Sequence, residues 1–115
     1  MPNLELKDMV IQALINRKGE DIQCLEVFDQ TDITDYMVVA SGTSVRQVKA
    51  LGESVIEEVR RIHIKPIGVE GMLEGEWVLV DLADVLVHVM LPKVREFYDL
   101  ERLWSMSPSQ RELQE

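Results

Sequence analysis

A short turn of small and hydroxyl residues is the first feature of this sequence that could bind a reactive group. Ser41-Gly42-Thr43-Ser44 follows an apolar run and precedes a helical pattern, and the N-terminus of a helix attracts anions such as phosphate. The stretch contains neither a Walker lysine motif nor a G-x-G-x-x-G fingerprint. The simpler interpretation is a turn in which Ser44 caps the helix, with Gln47 completing a capping box.

Acidic residues that could hold a metal ion beside this turn do not converge. Nucleotidyltransferases set a comparable turn against spaced acids that bind magnesium, and the candidates here are Asp81 and Asp84. Asp84 is expected in a turn, so the two carboxylates diverge. His63 and His88 lie on different predicted elements without the spacing of metal ligands, and Cys24 sits within an apolar run. We therefore expect no catalytic residues, no metal site and no cofactor.

Composition and charge restrict the class of partner. The chain has 115 residues, enough for one domain, and a formal net charge of −9. Such a chain is repelled by nucleic acid and by anionic lipid, whereas it attracts basic proteins. On charge alone, the simpler interpretation is that the acidity aids solubility. The chain has a single cysteine. Its N-terminus shows no leader pattern, and no apolar run approaches the ~20 residues of a membrane span. These features predict a cytoplasmic protein.

Hydrophobic periodicity predicts a single α/β domain over residues 1–104, with a mixed sheet and flanking helices in the order αββαββα. Residues 105–115 are polar and are expected to form a flexible tail. The predicted elements are a helix over 4–16, strands over 22–28 and 36–40, a helix over 45–62, a glycine-containing loop over 68–75, strands over 77–82 and 85–90, and a helix over 94–104.

The last two strands predict a hairpin with one aliphatic face and one mixed face. A two-residue turn at Ala83-Asp84 would place Val78, Val80 and Leu82 on the core face. The other face would pair Trp77 with Met90, Leu79 with His88, and Asp81 with Leu86. Two interpretations of this mixed face stay open. It docks a partner protein, or a helix of the same chain covers it and His88 is hydrogen-bonded.

Four stretches of sequence, in this order, resemble the ribosomal silencing factor family, also called Iojap or RsfS. They are ITDYMVVASGTS at 33–44, GVEG at 68–71, EWVLVDLADVLVHVM at 76–90 and REFYDLERLW at 95–104. The likeness extends from Leu4 to Trp104. The sequence departs from the family pattern at Ala83, where glycine is common.

The resemblance implies a fold related to nucleotidyltransferases but without activity, and a homodimer. It also implies binding to large-subunit ribosomal protein fourteen, which blocks joining of the small subunit and represses translation under nutrient limitation. No specific binding of nucleic acid and no membrane association are implied. The partner-binding residues matched in this chain are Trp77, Leu79, Met90, Lys93, Arg95 and Tyr98.

Overall fold

A computed structural model describes residues 4–105, with the side chains of Leu4 and of residues 103–105 left aside. The predicted α/β class with a single mixed sheet is confirmed. The expected tail at 106–115 lies outside the described residues. The elements are α1 (Leu4–Asn16), β1 (Glu20–Glu26), β2 (Tyr36–Ser41), α2 (Val45–Arg60), β3 (Gly68–Glu70), β4 (Trp77–Asp81), β5 (Val85–Met90), α3 (Pro92–Tyr98) and α4 (Leu100–Ser105).

The five-stranded sheet has the order β1-β2-β5-β4-β3, with β2 and β5 parallel and every other pair antiparallel. All six residues of β2 are buried. This burial on both faces explains why the strand reads as an uninterrupted apolar run rather than as an alternation. The central position of β2 and β5 makes them the support for both layers of the fold.

The two faces of the sheet are covered unequally. One face packs against α1 and α2 in a large aliphatic core that includes Val80 and Val87 of the hairpin. The other face has a smaller core built on Val27, Met37, Val39 and Met90. Because the cover on this second face is smaller, part of it stays open to solvent.

The start of α2 is capped by side chains of its own chain. Ser44 Oγ accepts a hydrogen bond from the Gln47 amide at 3.1 Å, as predicted. Gln47 Oε1 accepts from the amide and the hydroxyl of Thr43, at 2.6 and 2.7 Å, whereas a standard capping box would use the Ser44 amide. Gln47 Nε2 donates to the Lys18 carbonyl at 3.0 Å. The turn at 41–44 is therefore a helix cap, as the simpler interpretation held.

Three predicted boundaries are wrong, each for a local reason. The predicted loop contains β3, because a three-residue strand is too short to show a period of two. The final helix is two helices, since Asp99 adopts a left-handed conformation with φ 49° between them. The first strand begins and ends two residues earlier than expected, and an irregularity between Glu20 and Gln23 interrupts its alternation.

The turn of the β4–β5 hairpin has the predicted two-residue length but a tight backbone. Ala83 has φ 70°, and the Asp84 amide donates to the Leu82 carbonyl at 2.9 Å to close a γ-turn. The Asp81 carboxylate accepts from the Ala83 amide at 2.9 Å. Glycine adopts a backbone with positive φ more readily than alanine does.

Candidate functional site

The mixed face of the hairpin has the predicted register. Trp77 lies opposite Met90, Leu79 opposite His88, and Asp81 opposite Leu86. Successive side chains on a strand point to opposite faces, so the apolar and polar residues of this set share one side of the sheet. That side is the one with the smaller core.

Each of the two interpretations left open by the sequence concerns a different end of this face. Met90 is 0% exposed and belongs to the small core, where Val94 and Leu100 of the last two helices pack against it. Trp77 and Leu79 keep part of their surface in solvent. Among the described residues, helices of the same chain therefore cover one end of the face, and the other end keeps part of its surface in solvent.

Trp77 is held by a hydrogen bond below it and a ring beside it. Its Nε1 donates to Nδ1 of His88 at 3.0 Å, and its ring centroid lies 4.7 Å from that of Tyr98. His88 is 7% exposed, and burial lowers the pKa of its imidazole to about 4. The imidazole is therefore neutral near pH 7, and its Nδ1 is a stable acceptor.

Two consecutive aromatic residues extend the exposed area. Tyr98 is 54% exposed and Phe97 is 80% exposed, and their rings meet edge to face at 5.1 Å. We refer to Trp77, Leu79, Phe97 and Tyr98 as the docking surface, because we propose that they bind a partner. Sequence reasoning missed Phe97. Neighbouring residues on a helix point about 100° apart, so two aromatics in succession on a short helix were a signal that one of them faces solvent.

A shallow cavity of about 250 Å³ adjoins this surface, lined by Glu70, Gly71, Trp77 and Leu79. Its walls are mainly apolar, and Glu70 supplies an exposed carboxylate at the rim. Gly71 has φ 83°, and a Cβ atom there would lie 1.9 Å from the Trp77 carbonyl oxygen. A glycine is therefore required for β3 to approach the start of β4, and this approach forms the cavity.

Met90 and Arg95, both predicted as partner contacts, are buried in this chain. Arg95 Nε and Nη2 bind the two carboxylate oxygens of Glu101 at 2.7 and 3.0 Å. Its Nη1 donates to Ser41 Oγ at 2.9 Å. Arg95 thus ties α3 and α4 to the end of β2. Lys93 is exposed on α3 and keeps its place as a predicted contact.

The two acids considered for metal binding, Asp81 and Asp84, both belong to the hairpin turn or its start. The Asp81 carboxylate caps the hairpin turn, and Asp84 lies within that turn. Within residues 4–105, no group of three or more histidine, cysteine or acidic side chains is placed to hold a metal ion. No helix in this described part is long and apolar enough to cross a membrane.

Comparisons with known proteins agree with this description. A family model described as ribosomal silencing factor during starvation matches residues 2–115. A ribosomal silencing factor from Chromobacterium violaceum is 48% identical over 100 residues, which cover 87% of this chain and 82% of that protein. A mouse protein named mitochondrial assembly of ribosomal large subunit protein 1 is 31% identical, with 86% of this chain and 45% of that protein covered.

A crystal structure of a protein from Chromobacterium violaceum has the same architecture. It superposes with a TM-score of 0.89 at 46% sequence identity, covering 94% of this chain and 91% of that one. The match of the family model over nearly the whole chain, the close relative and the shared fold lead to one conclusion. The chain belongs to the ribosomal silencing factor family.

Proposed function

We propose that this protein binds the large ribosomal subunit through large-subunit ribosomal protein fourteen and thereby keeps the small subunit from joining. It would act in the cytoplasm and repress translation under nutrient limitation. Membership of the family supports the silencing role. The name of the mouse relative refers to the large ribosomal subunit, which supports that subunit as the one bound.

The observation that carries the proposal is the partly exposed docking surface, in which Trp77 is hydrogen-bonded to His88 and lies beside Tyr98. Tryptophan and tyrosine are enriched among residues that dominate binding energy, because they bury a large area at a small entropic cost. Here Trp77 is fixed by His88 and Tyr98 before any partner arrives. Less conformational freedom is therefore lost on association, which favours affinity.

Charge supports a basic protein as the immediate partner. The net charge of −9 repels ribosomal RNA and speeds encounter with a positively charged protein surface. Glu70, at the rim of the cavity beside Trp77, places a carboxylate where a lysine or arginine of the partner would meet it. A small factor seated on the subunit interface blocks joining by its volume alone and needs no catalysis.

Sedimentation with purified large subunits tests the docking surface. The wild-type protein should sediment with large subunits, and Trp77→Ala should stay in the supernatant. Ile15→Ala is the matched control, because Ile15 is a half-exposed apolar residue of α1, on the opposite side of the sheet. Equal sedimentation of wild type and Trp77→Ala would refute this surface, and loss of binding by Ile15→Ala would show that the effect is nonspecific.

We also propose that the protein is a homodimer in solution. The small chain cannot bury all of its apolar surface. Ile67, Val69 and Leu73, which are exposed, lie in or beside β3 at the edge of the sheet. An edge strand with apolar neighbours favours pairing with a second copy. Light scattering at micromolar concentration should give the mass of two chains, and the mass of one chain would contradict the proposal.

A further inference from the structure

We infer that His88 is a positioning residue of the docking surface, whose Nδ1 atom fixes the orientation of the Trp77 indole for partner binding. The inference rests on the proposed function, because it assigns His88 a role in the same surface. His88 lies beneath that surface and would not touch the partner itself.

The geometry gives the indole ring two independent restraints. The hydrogen bond from Trp77 Nε1 to His88 Nδ1 is 3.0 Å long, and the rings of the two residues are 5.8 Å apart at 47°. The ring centroids of Tyr98 and Trp77 are 4.7 Å apart. A half-exposed tryptophan on a strand has several rotamers available. A fixed acceptor below the ring selects the one in which the indole N–H points into the protein.

Burying the polar atoms of His88 costs free energy, and a role in positioning Trp77 would explain why this residue is present. Since Nδ1 accepts the indole proton, the imidazole proton must be on Nε2. Nε2 is buried and finds no hydrogen-bond partner among the described residues. A buried donor without a partner is unfavourable, and an apolar side chain of similar volume would avoid that cost. His88 stands opposite Leu79 and beside Val39, in surroundings that would accept such a residue.

Three variants separate positioning from simple filling of space. His88→Leu removes the acceptor and keeps an apolar filling. His88→Asn restores an oxygen near the position of Nδ1. Trp77→Phe leaves His88 in place and removes the donor together with part of the aromatic ring, so it reports on the same bond even where His88→Leu fails to fold. Each variant is measured for thermal unfolding and for binding to large subunits, and the two His88 variants are also measured for the NMR signal of the Trp77 indole N–H, assigned with Trp104→Phe.

In His88→Leu we expect faster hydrogen exchange of the Trp77 indole and about 5- to 10-fold weaker binding in a folded protein. His88→Asn should recover most of both. Trp77→Phe and the double variant with His88→Leu should bind equally, because both residues act through one bond. Unchanged indole exchange in His88→Leu, or additive losses in the double variant, would overturn the inference. Wild-type binding by Trp77→Ala would instead refute the docking surface itself.

Discussion

Trp77 is the residue of the docking surface on which the proposed binding depends most. Its indole N–H donates a hydrogen bond to His88, and its ring lies beside that of Tyr98. The Trp77 side chain is partly exposed to solvent. The alternation of β4 placed Trp77 on the correct side of the sheet from sequence alone. The contact with Tyr98 could not be predicted, because it depends on the angle at which α3 leaves the sheet.

Truncation of this tryptophan should affect binding more than folding. We expect Trp77→Ala to weaken binding to large subunits by about 2–4 kcal/mol, as is typical of an aromatic at the centre of an interface. Its free energy of unfolding should fall by about 1–3 kcal/mol, because His88 loses its hydrogen-bond donor. Urea unfolding and large-subunit binding of the same sample provide the test. A stability loss above about 4 kcal/mol, or wild-type binding by the folded variant, would place Trp77 in the core.

His88 should make the stability of the protein depend on pH below neutrality. Its pKa is lowered by burial from 6.5 to about 4, so between these values the unfolded chain binds the proton more readily than the folded one. The contribution to stability is complete above about pH 6.5 and is lost as the pH falls towards 4, amounting to roughly 3 kcal/mol.

His88→Leu is the control for the many carboxylates that titrate over the same range in both proteins. The difference in unfolding free energy between wild type and this variant should change by that amount between pH 7 and pH 4, with the wild type losing more. A difference that does not vary with pH would mean that the imidazole is not buried in its neutral form.

The elements show where sequence reasoning succeeds and where it stops. Both strands of the hairpin follow from alternation, β2 from its apolar run, and the start of α2 from Ser44 and Gln47. The break between α3 and α4 at Asp99 has no strong sequence signal, since aspartate is tolerated in both helix and turn. The burial of Arg95 was also missed, because its partner Glu101 lies on the far side of that break.

The turn of the hairpin predicts a stabilising substitution. Ala83 holds a left-handed backbone with φ 70°, which costs an alanine about 1–2 kcal/mol more than a glycine. Ala83→Gly should therefore raise the free energy of unfolding by roughly 0.5–1 kcal/mol after the entropy of the unfolded glycine is subtracted. Denaturant unfolding measures this directly. A destabilised Ala83→Gly would indicate that the turn is not strained in the native protein.

The hydrogen bonds of Arg95 with Glu101 and Ser41, called the clamp, predict a destabilising substitution. Arg95→Ala should lower the free energy of unfolding by about 2 kcal/mol, because Glu101 and Ser41 lose their common partner. The figure is below that for a fully buried pair, since the Glu101 side chain is 29% exposed. Lys93→Ala, at an exposed position of the same helix, is the comparison. Equal unfolding curves for the two variants would exclude a clamp.

At the scale of the whole molecule, an acidic chain folds into a five-stranded sheet with one face closed by α1 and α2 and the other, among the described residues, closed only in part. The class of fold and the mixed face were accessible from the sequence, whereas the division of that face into covered and open ends required the positions of α3 and α4. The open end displays aromatic rings within a chain of net charge −9. This combination suits a basic protein partner, and in the proposed function that partner lies on the large subunit.

Subunit joining measured by density-gradient sedimentation tests this account most directly. Purified large and small subunits are mixed at a magnesium concentration that favours joined ribosomes, with increasing amounts of the protein. The account predicts that joined ribosomes decrease, that free subunits increase, and that the protein sediments only with the large subunit, whereas Trp77→Ala has no effect at the same concentration. Undiminished joining at saturating protein, or sedimentation of the protein with joined ribosomes, would contradict it.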